Sequence, residues 1–321
     1  MSSAFLTFCI PTYNRAELLN ITLSKLISVV REAECEIIVS DNGSIDNTRK
    51  IVETHIKNYS NLKYFSQAKN VGYDRNVALC YENSTSEYIW LFGDSKEISE
   101  DSFCKILNII KQRKYQGIVV NSENRIMNIP SKIYNDATSI LTEIGWHTTL
   151  LCSTIISKEF INNQLLKRYF DTDLIHFGVF FESIVKYENL NILWIADNVV
   201  SRTEYDLNFK DLKKSSWSNR LFDVFAIHWF SIVMSLPNQI SLNSKLKCIK
   251  AHDQNTHIFN IRQLIALRAR KEIIKSDYIK AQKILPFITE LSSLKIRLVF
   301  LIPYPLLKIA LLTHSKLKLL K

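Results

Sequence analysis

The sequence predicts an α/β fold: a mostly parallel, Rossmann-like sheet flanked by helices, followed by a helical C-terminal extension. Three observations carry this reading. Apolar runs of strand length alternate with amphipathic stretches of helix length through the first half, the rhythm of βαβ units that builds parallel sheets. Three of the strands run straight into polar clusters, CIPTYNR (9–15), IIVSDNGSIDNT (37–48) and YIWLFGDSKEI (88–98), and such sheets bind ligands just beyond the carboxyl ends of their strands. From Trp217 onward, long helical patterns replace the alternation.

In chain order, Phe5–Ile10 reads as a buried strand. Ala16–Arg31 follows as a helix, with Leu18, Leu19, Leu23, Leu26, Ile27 and Val30 on one stripe. Glu36–Ser40, Lys63–Ser66, Tyr88–Phe92 and Gly117–Asn121 read as strands, and Asp46–Asn58, Asp74–Asn83 and Glu100–Arg113 as the helices between them. The middle is less regular: strands over Thr149–Ser157 and Leu193–Arg202, helices over Lys158–Tyr169 and Leu174–Tyr187. Helical patterns over Trp217–Ser235, Leu242–Ile274 and Asp277–Ser292 complete the chain. The composition shift divides it into residues 1–205 and 206–321.

At 321 residues the chain is long enough for a sizeable core, and 47% hydrophobic against 22% charged residues is ordinary globular usage. Six cysteines lie scattered without CxxC spacing, which suits a reducing compartment better than a disulfide framework. Neither a signal peptide nor a transmembrane helix is expected. The net charge of +10 is concentrated at one end: residues 245–321 hold sixteen Lys/Arg against four Asp/Glu. The segment LVFLIPYPLLKIALL (298–312) is apolar, interrupted by Pro303, Pro305 and Lys308, and flanked by lysines and Arg297. That pattern suits a segment lying in a membrane interface, with a docked C-terminal helix as the plainer reading. The aromatic residues of this region form no stacking pattern for nucleic acid.

The polar clusters hold the candidate chemistry. After Pro11, Tyr13 is suited to stack on a flat ring and Arg15 to reach phosphate, while Thr12 or Asn14 also suits a helix cap. Asp41 lies where the second strand ends and is suited to accept from a base N–H or a ribose hydroxyl; with Asn42 it equally suits a turn. In NVGYDRNVALC (70–80), Gly72 opens the turn and Arg75 falls in a first helical turn, where backbone N–H groups favour anions. A surface ion pair is the alternative for Arg75. Asp94, after Gly93, ends the most apolar strand. No Walker loop, GxGxxG fingerprint, HExxH or zinc spacing occurs.

Taken in order, strand-PTYNR, IIVSDNGSIDNT, NxGxxRN and LFGDS resemble the family 2 glycosyltransferases of the GT-A fold, and among them the abequosyltransferase-like branch of O-antigen synthesis. The resemblance is strong over residues 5–100 and weak over 100–205. It implies that Pro11, Thr12 and Tyr13 line a nucleoside pocket, that Asp41 bonds the pyrimidine base, and that Arg75 lies near the base or diphosphate. Asp94 would open the acidic DXD-type motif that contacts the ribose and a divalent metal, Mg²⁺ or Mn²⁺.

The chain departs from that pattern at Ser95 and Lys96, where the branch usually has acids. Metal dependence is therefore expected to be weak or absent, with Lys96 placing a fixed charge near the diphosphate; the alternative turns Lys96 to solvent and lets Glu97 or water complete the site. The family also supplies a general base from its second half, often in an ED pair, which this sequence lacks. The candidates are Asp171, Asp173, His176 and Glu182 in RYFDTDLIHFGVFFES (168–183). The expected partners are a nucleotide-sugar donor, a polyprenyl diphosphate-linked saccharide acceptor and an anionic membrane surface, with the protein peripheral on the cytoplasmic face. A catalytically impaired sugar-nucleotide-binding scaffold is the alternative that the departures favour.

Overall fold

A computed structural model describes residues 4–33, 35–112, 114–204 and 219–307. The expected helix end at Arg113, the expected domain boundary, the start of the Trp217–Ser235 pattern and the tail from residue 308 lie outside the described residues. The chain separates into two compact units, Met1–Leu212 and Lys213–Lys321.

The first unit is built on a sheet whose strands, in spatial order among the described residues, are β3 (Leu62–Ser66), β2 (Glu36–Asp41), β1 (Leu6–Thr12), β4 (Tyr88–Leu91), β8 (Thr154–Ser157), β6 (Gly117–Ser122), β9 (Ile192–Arg202) and β5 (Lys96–Ile98), with β7 (Lys132–Tyr134) also paired to β9. Strands β1 (Leu6–Thr12), β2 (Glu36–Asp41), β3 (Leu62–Ser66) and β4 (Tyr88–Leu91) run parallel, with β1 between β2 and β4. Every residue of β1, β2 and β4 is buried, as continuous apolar runs in a sheet covered on both faces require. The helices that return the chain between them are α1 (Ala16–Val30), α2 (Thr48–Ile56) and α3 (Tyr73–Asn83). The six residues of the expected α1 stripe are all buried. Phe8 stacks on Trp90 at 5.2 Å and meets Phe92 edge-on.

The second half of the sheet is mixed. After α4 (Glu100–Lys111), β6 (Gly117–Ser122) pairs antiparallel with β8 (Thr154–Ser157), which is also antiparallel to β4. Strand β9 (Ile192–Arg202) runs parallel to β6 and antiparallel to two short strands, β5 (Lys96–Ile98) and β7 (Lys132–Tyr134). The expected strand over Thr149–Ser157 is strand only from Thr154, because 3₁₀ turns at Gly145–Thr149 and Leu151–Ser153 precede it. The helix α5 (Ala137–Ile144), capped by Asp136, has no counterpart in the sequence reading. Helices α6 (Asn163–Arg168) and α7 (Ile175–Ile184) are shorter than the patterns predict.

The second unit is helical throughout its described residues. A π-helical segment, Asp223–His228, leads into α8 (Trp229–Ser235). The expected helix Leu242–Ile274 is two helices, α9 (Leu242–Thr256) and α10 (Ile261–Ala269). His257 takes a left-handed φ of 52° between them, the Asp253 carboxylate accepts from the Phe259 N–H, and Asn260 caps α10. Helices α11 (Lys275–Ala281), α12 (Leu285–Ile288) and α13 (Ser293–Leu301) follow.

Candidate active site

The three polar clusters meet at the carboxyl ends of β1, β2 and β4. Register pairs Thr12 with Asp41 across the β1–β2 ladder, so the two loops leave the sheet side by side. The Asn42 N–H donates to the Thr12 carbonyl at 3.0 Å. Asn14 takes a left-handed φ of 53°; its N–H donates to the Ser44 hydroxyl, and its carboxamide accepts from the Ile45 N–H. Asp46 accepts from the N–H groups of both Ala16 and Thr48, so one carboxylate from the second loop serves the start of α1 as well as α2. Gly43, at φ 76°, lies where an added Cβ would stand 2.7 Å from the Lys69 carbonyl carbon.

The NVGYDRN loop is sewn to the same place. The Asn42 side chain accepts from the Val71 N–H, and Asn76 donates to the Ser40 carbonyl at 2.9 Å while accepting from the Ser40 hydroxyl. Asp41, 1% exposed, accepts from the Ser44 N–H and the Tyr64 hydroxyl. Burial first, and then this bond to Asp41, push the Tyr64 phenol up to about 12. Tyr13 is 42% exposed at the surface of the first loop, while Pro11 and Thr12 are buried.

Asp94 closes the arrangement. One carboxylate oxygen accepts from the Thr12 hydroxyl at 2.9 Å, and the other pairs with Arg15 at 2.6 Å. The end of β1 and the end of β4 are thereby joined through a buried acid. Lys96 does not point to solvent: it pairs with Glu123, and its side chain is 13% exposed. Glu97, on the opposite face of the short strand β5, pairs with Lys25 at 2.5 Å, so it does not complete a ligand set with Asp94.

The metal implied by the resemblance finds a poor donor set here. Among the described residues no group of three or more His, Cys, Asp or Glu side chains gathers to hold an ion. The single carboxylate, Asp94, already carries a guanidinium and a hydroxyl, and a lysine follows two residues later. Among the described residues, the side chains around Asp94 are therefore a poor fit for a resident divalent ion.

The base candidates fall into two groups. His176 is 2% exposed; its Nε2 lies 3.0 Å from the Thr149 carbonyl, and its Nδ1 lies 3.4 Å from the Tyr73 hydroxyl. Burial, only partly offset by the bond to Thr149, brings the ring down to about 4. Glu182, 8% exposed, accepts from Tyr169 and pairs with Arg168 at 3.2 Å. Both expected bases are thus enclosed and engaged within the protein. Asp171 and Asp173 instead lie in the turn before α7, both at left-handed φ, 64° and 60°. Arg75 pairs with Asp171 at 2.5 Å and lies over the Phe170 ring, so Arg75 is engaged with this turn. Asp74 accepts from the N–H groups of Thr172, Asp173 and Ile175, which anchors the turn beside α3. Non-glycine residues held at left-handed φ cost about 1–3 kcal/mol each and cluster at functional sites.

Sequence reasoning missed Glu123, at φ 60° in the turn after β6, together with Arg125 and Arg202. A polar turn far along the chain carries no local signal that it will reach the Asp94 loop.

A family described as "Glycosyl transferase family 2" matches residues 7–189. The abequosyltransferase RfbV of Salmonella typhimurium is 33% identical over 99 residues, which is 30% of this chain and 30% of that protein. The chain thus spans about a third of the length of this relative. The solved structure of TarS from S. aureus in complex with UDP-GlcNAc superposes with a TM-score of 0.62 at 14% identity, covering 88% of this chain and 81% of that one. A mannosyltransferase from Pyrobaculum calidifontis, in complex with GDP-Man and Mn²⁺, superposes at 0.53 with 14% identity, covering 84% of this chain and 76% of that one. At such identities these two likenesses show the fold, which is GT-A.

Proposed function

The chain belongs to glycosyl transferase family 2, and from that premise we propose that it moves a sugar from a nucleotide-sugar donor to a lipid-linked saccharide acceptor in surface polysaccharide synthesis. One observation carries the reading: the Thr12–Asp94–Arg15 arrangement, which joins two strand ends at a buried acid where GT-A sheets receive their donor. In this reading Pro11, Thr12 and Tyr13 flank the nucleoside. Asp41 and Asn42 shape the base end, Asp94 meets the ribose, and Arg15 and Arg75 lie toward the phosphates.

Transfer requires a base for the acceptor hydroxyl. We place that role on Asp173, because it stands in the turn that Asp74 anchors beside the site. The acceptor oxygen attacks the anomeric carbon while its proton passes to the Asp173 carboxylate. The bond from that carbon to the diphosphate oxygen breaks, and the nucleoside diphosphate leaves with the electron pair.

The lipid-linked acceptor is supported by the second unit. Helix α13 buries Ile296, Val299 and Phe300, while Leu294, Leu298 and Leu301 on another face are 66%, 50% and 55% exposed. Lys295 and Arg297 lie among them. Exposed leucines beside basic residues suit an anionic membrane surface. Among the described residues no helix is long and apolar enough to cross a membrane.

Titration with UDP-, GDP-, CDP- and dTDP-sugars tests the donor reading. One of them is expected to bind and to be hydrolysed or transferred, and Asp94→Ala to abolish turnover. Binding without turnover by the unaltered protein, across a panel of lipid-linked acceptors, would favour the scaffold reading instead.

A further inference from the structure

Arg202 stands directly opposite Lys96 in the antiparallel β5–β9 ladder. Like charges at facing positions of a ladder repel, so this pair needs a third group. Glu123 provides it: Lys96 pairs with one of its carboxylate oxygens, and Arg202 lies 3.3 Å from the other. Burial alone would raise the Glu123 carboxyl, but Lys96, then Arg202 and Arg125, hold it below the usual range. Arg125 lies with its guanidinium over the Trp146 ring at 4.8 Å. Two cations from facing strands thus pair with one acid, and Arg125, two residues along from it, adds positive charge nearby.

The cluster is built rather than incidental. Glu123 and Asn124 both adopt left-handed φ, 60° and 51°, a cost that surrounding structure must offset. The Glu123 N–H donates to the Val200 carbonyl, and the Thr203 N–H to the Ser95 carbonyl, fastening β9 to both turns. The Lys96 stem folds against Gly93, where a Cβ would lie 2.9 Å from its Cγ. The cluster thus begins two residues after Asp94, at the position where the residues are a poor fit for a metal.

We infer that Lys96 and Arg202, backed by Arg125, form a fixed cationic seat for the diphosphate of the donor, taking the place of a divalent ion; this rests on the donor reading above. Three cations against one acid leave the surplus positive charge that a diphosphate needs. Preorganised cations also stabilise the charge that develops on the leaving oxygen. Glu123 holds the two facing side chains side by side in the absence of ligand.

Isothermal titration of the intact chain with UDP, GDP, CDP and dTDP, in EDTA and again with Mn²⁺, tests this. At least one nucleotide is expected to bind in EDTA, with Mn²⁺ changing its Kd less than about threefold. Arg202→Gln is expected to weaken that Kd about tenfold, the worth of one charge-assisted contact; Arg202 is half exposed, so the fold survives its loss. Glu123→Gln, which removes the competing carboxylate, is expected to tighten it. Binding that requires Mn²⁺, or a Kd that neither variant changes, would overturn the seat and leave the donor reading standing. Failure of all four nucleotides in both conditions would overturn the two together.

Discussion

The Thr12 hydroxyl donates to Asp94 across 2.9 Å, with both residues at most 5% exposed. A hydrogen bond to a charged, buried acceptor contributes about 1.5–3 kcal/mol, and leaving the acceptor short of a partner costs on the same scale. Thr12→Val keeps the shape and removes the donor. It is expected to lower stability by about 2 kcal/mol and transfer by about tenfold, because Asp94 then has Arg15 to hold it without the hydroxyl. Denaturant melts and steady-state kinetics on the two proteins check this; a variant with unaltered kinetics would remove Asp94 orientation from the mechanism.

Gly93 and Lys96 are coupled through space. An added methyl at Gly93 would meet the Lys96 Cγ at 2.9 Å, and that side chain is held by Glu123. Gly93→Ala must therefore move the lysine off its partner, at a cost of about 1–3 kcal/mol for overpacking. In a Lys96→Ala background the same substitution meets open space and is expected to cost less. The double-mutant cycle, read from thermal melts, should give a coupling of about 1 kcal/mol; additive effects would contradict the contact.

Much of the first hundred residues was legible because β1, β2 and β4 are buried along their whole length and each runs into a polar cluster. Thr12, Asp41 and Asp94 needed no long-range information to be noticed. The later elements were not legible in the same way. Strand β5 is three residues long, Lys96–Ile98, and is strand because β9 returns to pair with it. His257 breaks the Leu242–Ile274 pattern without glycine or proline, through the Asp253 carboxylate that accepts from the Phe259 N–H. Lys96 was noticed as an oddity, but Glu123, 27 residues later, could not be assigned to it, since the meeting is made by β6 and β9 rather than by any local spacing.

Arg75 separates a surface role from a ligand role. Its pair with Asp171 is exposed on both sides, at 42% and 74%, and such pairs are screened by solvent. Arg75→Gln is expected to leave the melting temperature unchanged and to raise the donor KM severalfold, with kcat nearly constant, the pattern of lost uniform binding. A fall in kcat at constant KM would place Arg75 at the reacting centre instead.

Acid sensitivity follows from two buried histidines. Burial, with only partial offset from a backbone carbonyl, lowers His176 to about 4; burial, followed by the nearby Arg125, lowers His147 to about 3, both from an ordinary 6.5. Below pH 6.5 the unfolded chain binds protons that the folded chain does not, so each histidine contributes stability that is complete above 6.5 and is lost as pH falls toward the folded value. At His176 this amounts to about 3 kcal/mol over the whole window. Asp74 opposes the trend: burial, offset in part by its three backbone donors, raises it to about 6 from 3.8, so between those values the folded state holds a proton that the unfolded state lacks. These two histidines, with His55 also lowered by its burial, outweigh the one raised carboxyl and leave a net loss between pH 6 and 4.5. His176→Gln is expected to flatten the dependence by about 1.4 kcal/mol per pH unit in that range, measured by urea melts at half-unit steps. Should the slope stay the same in the variant, the acid lability would have to come from groups other than His176.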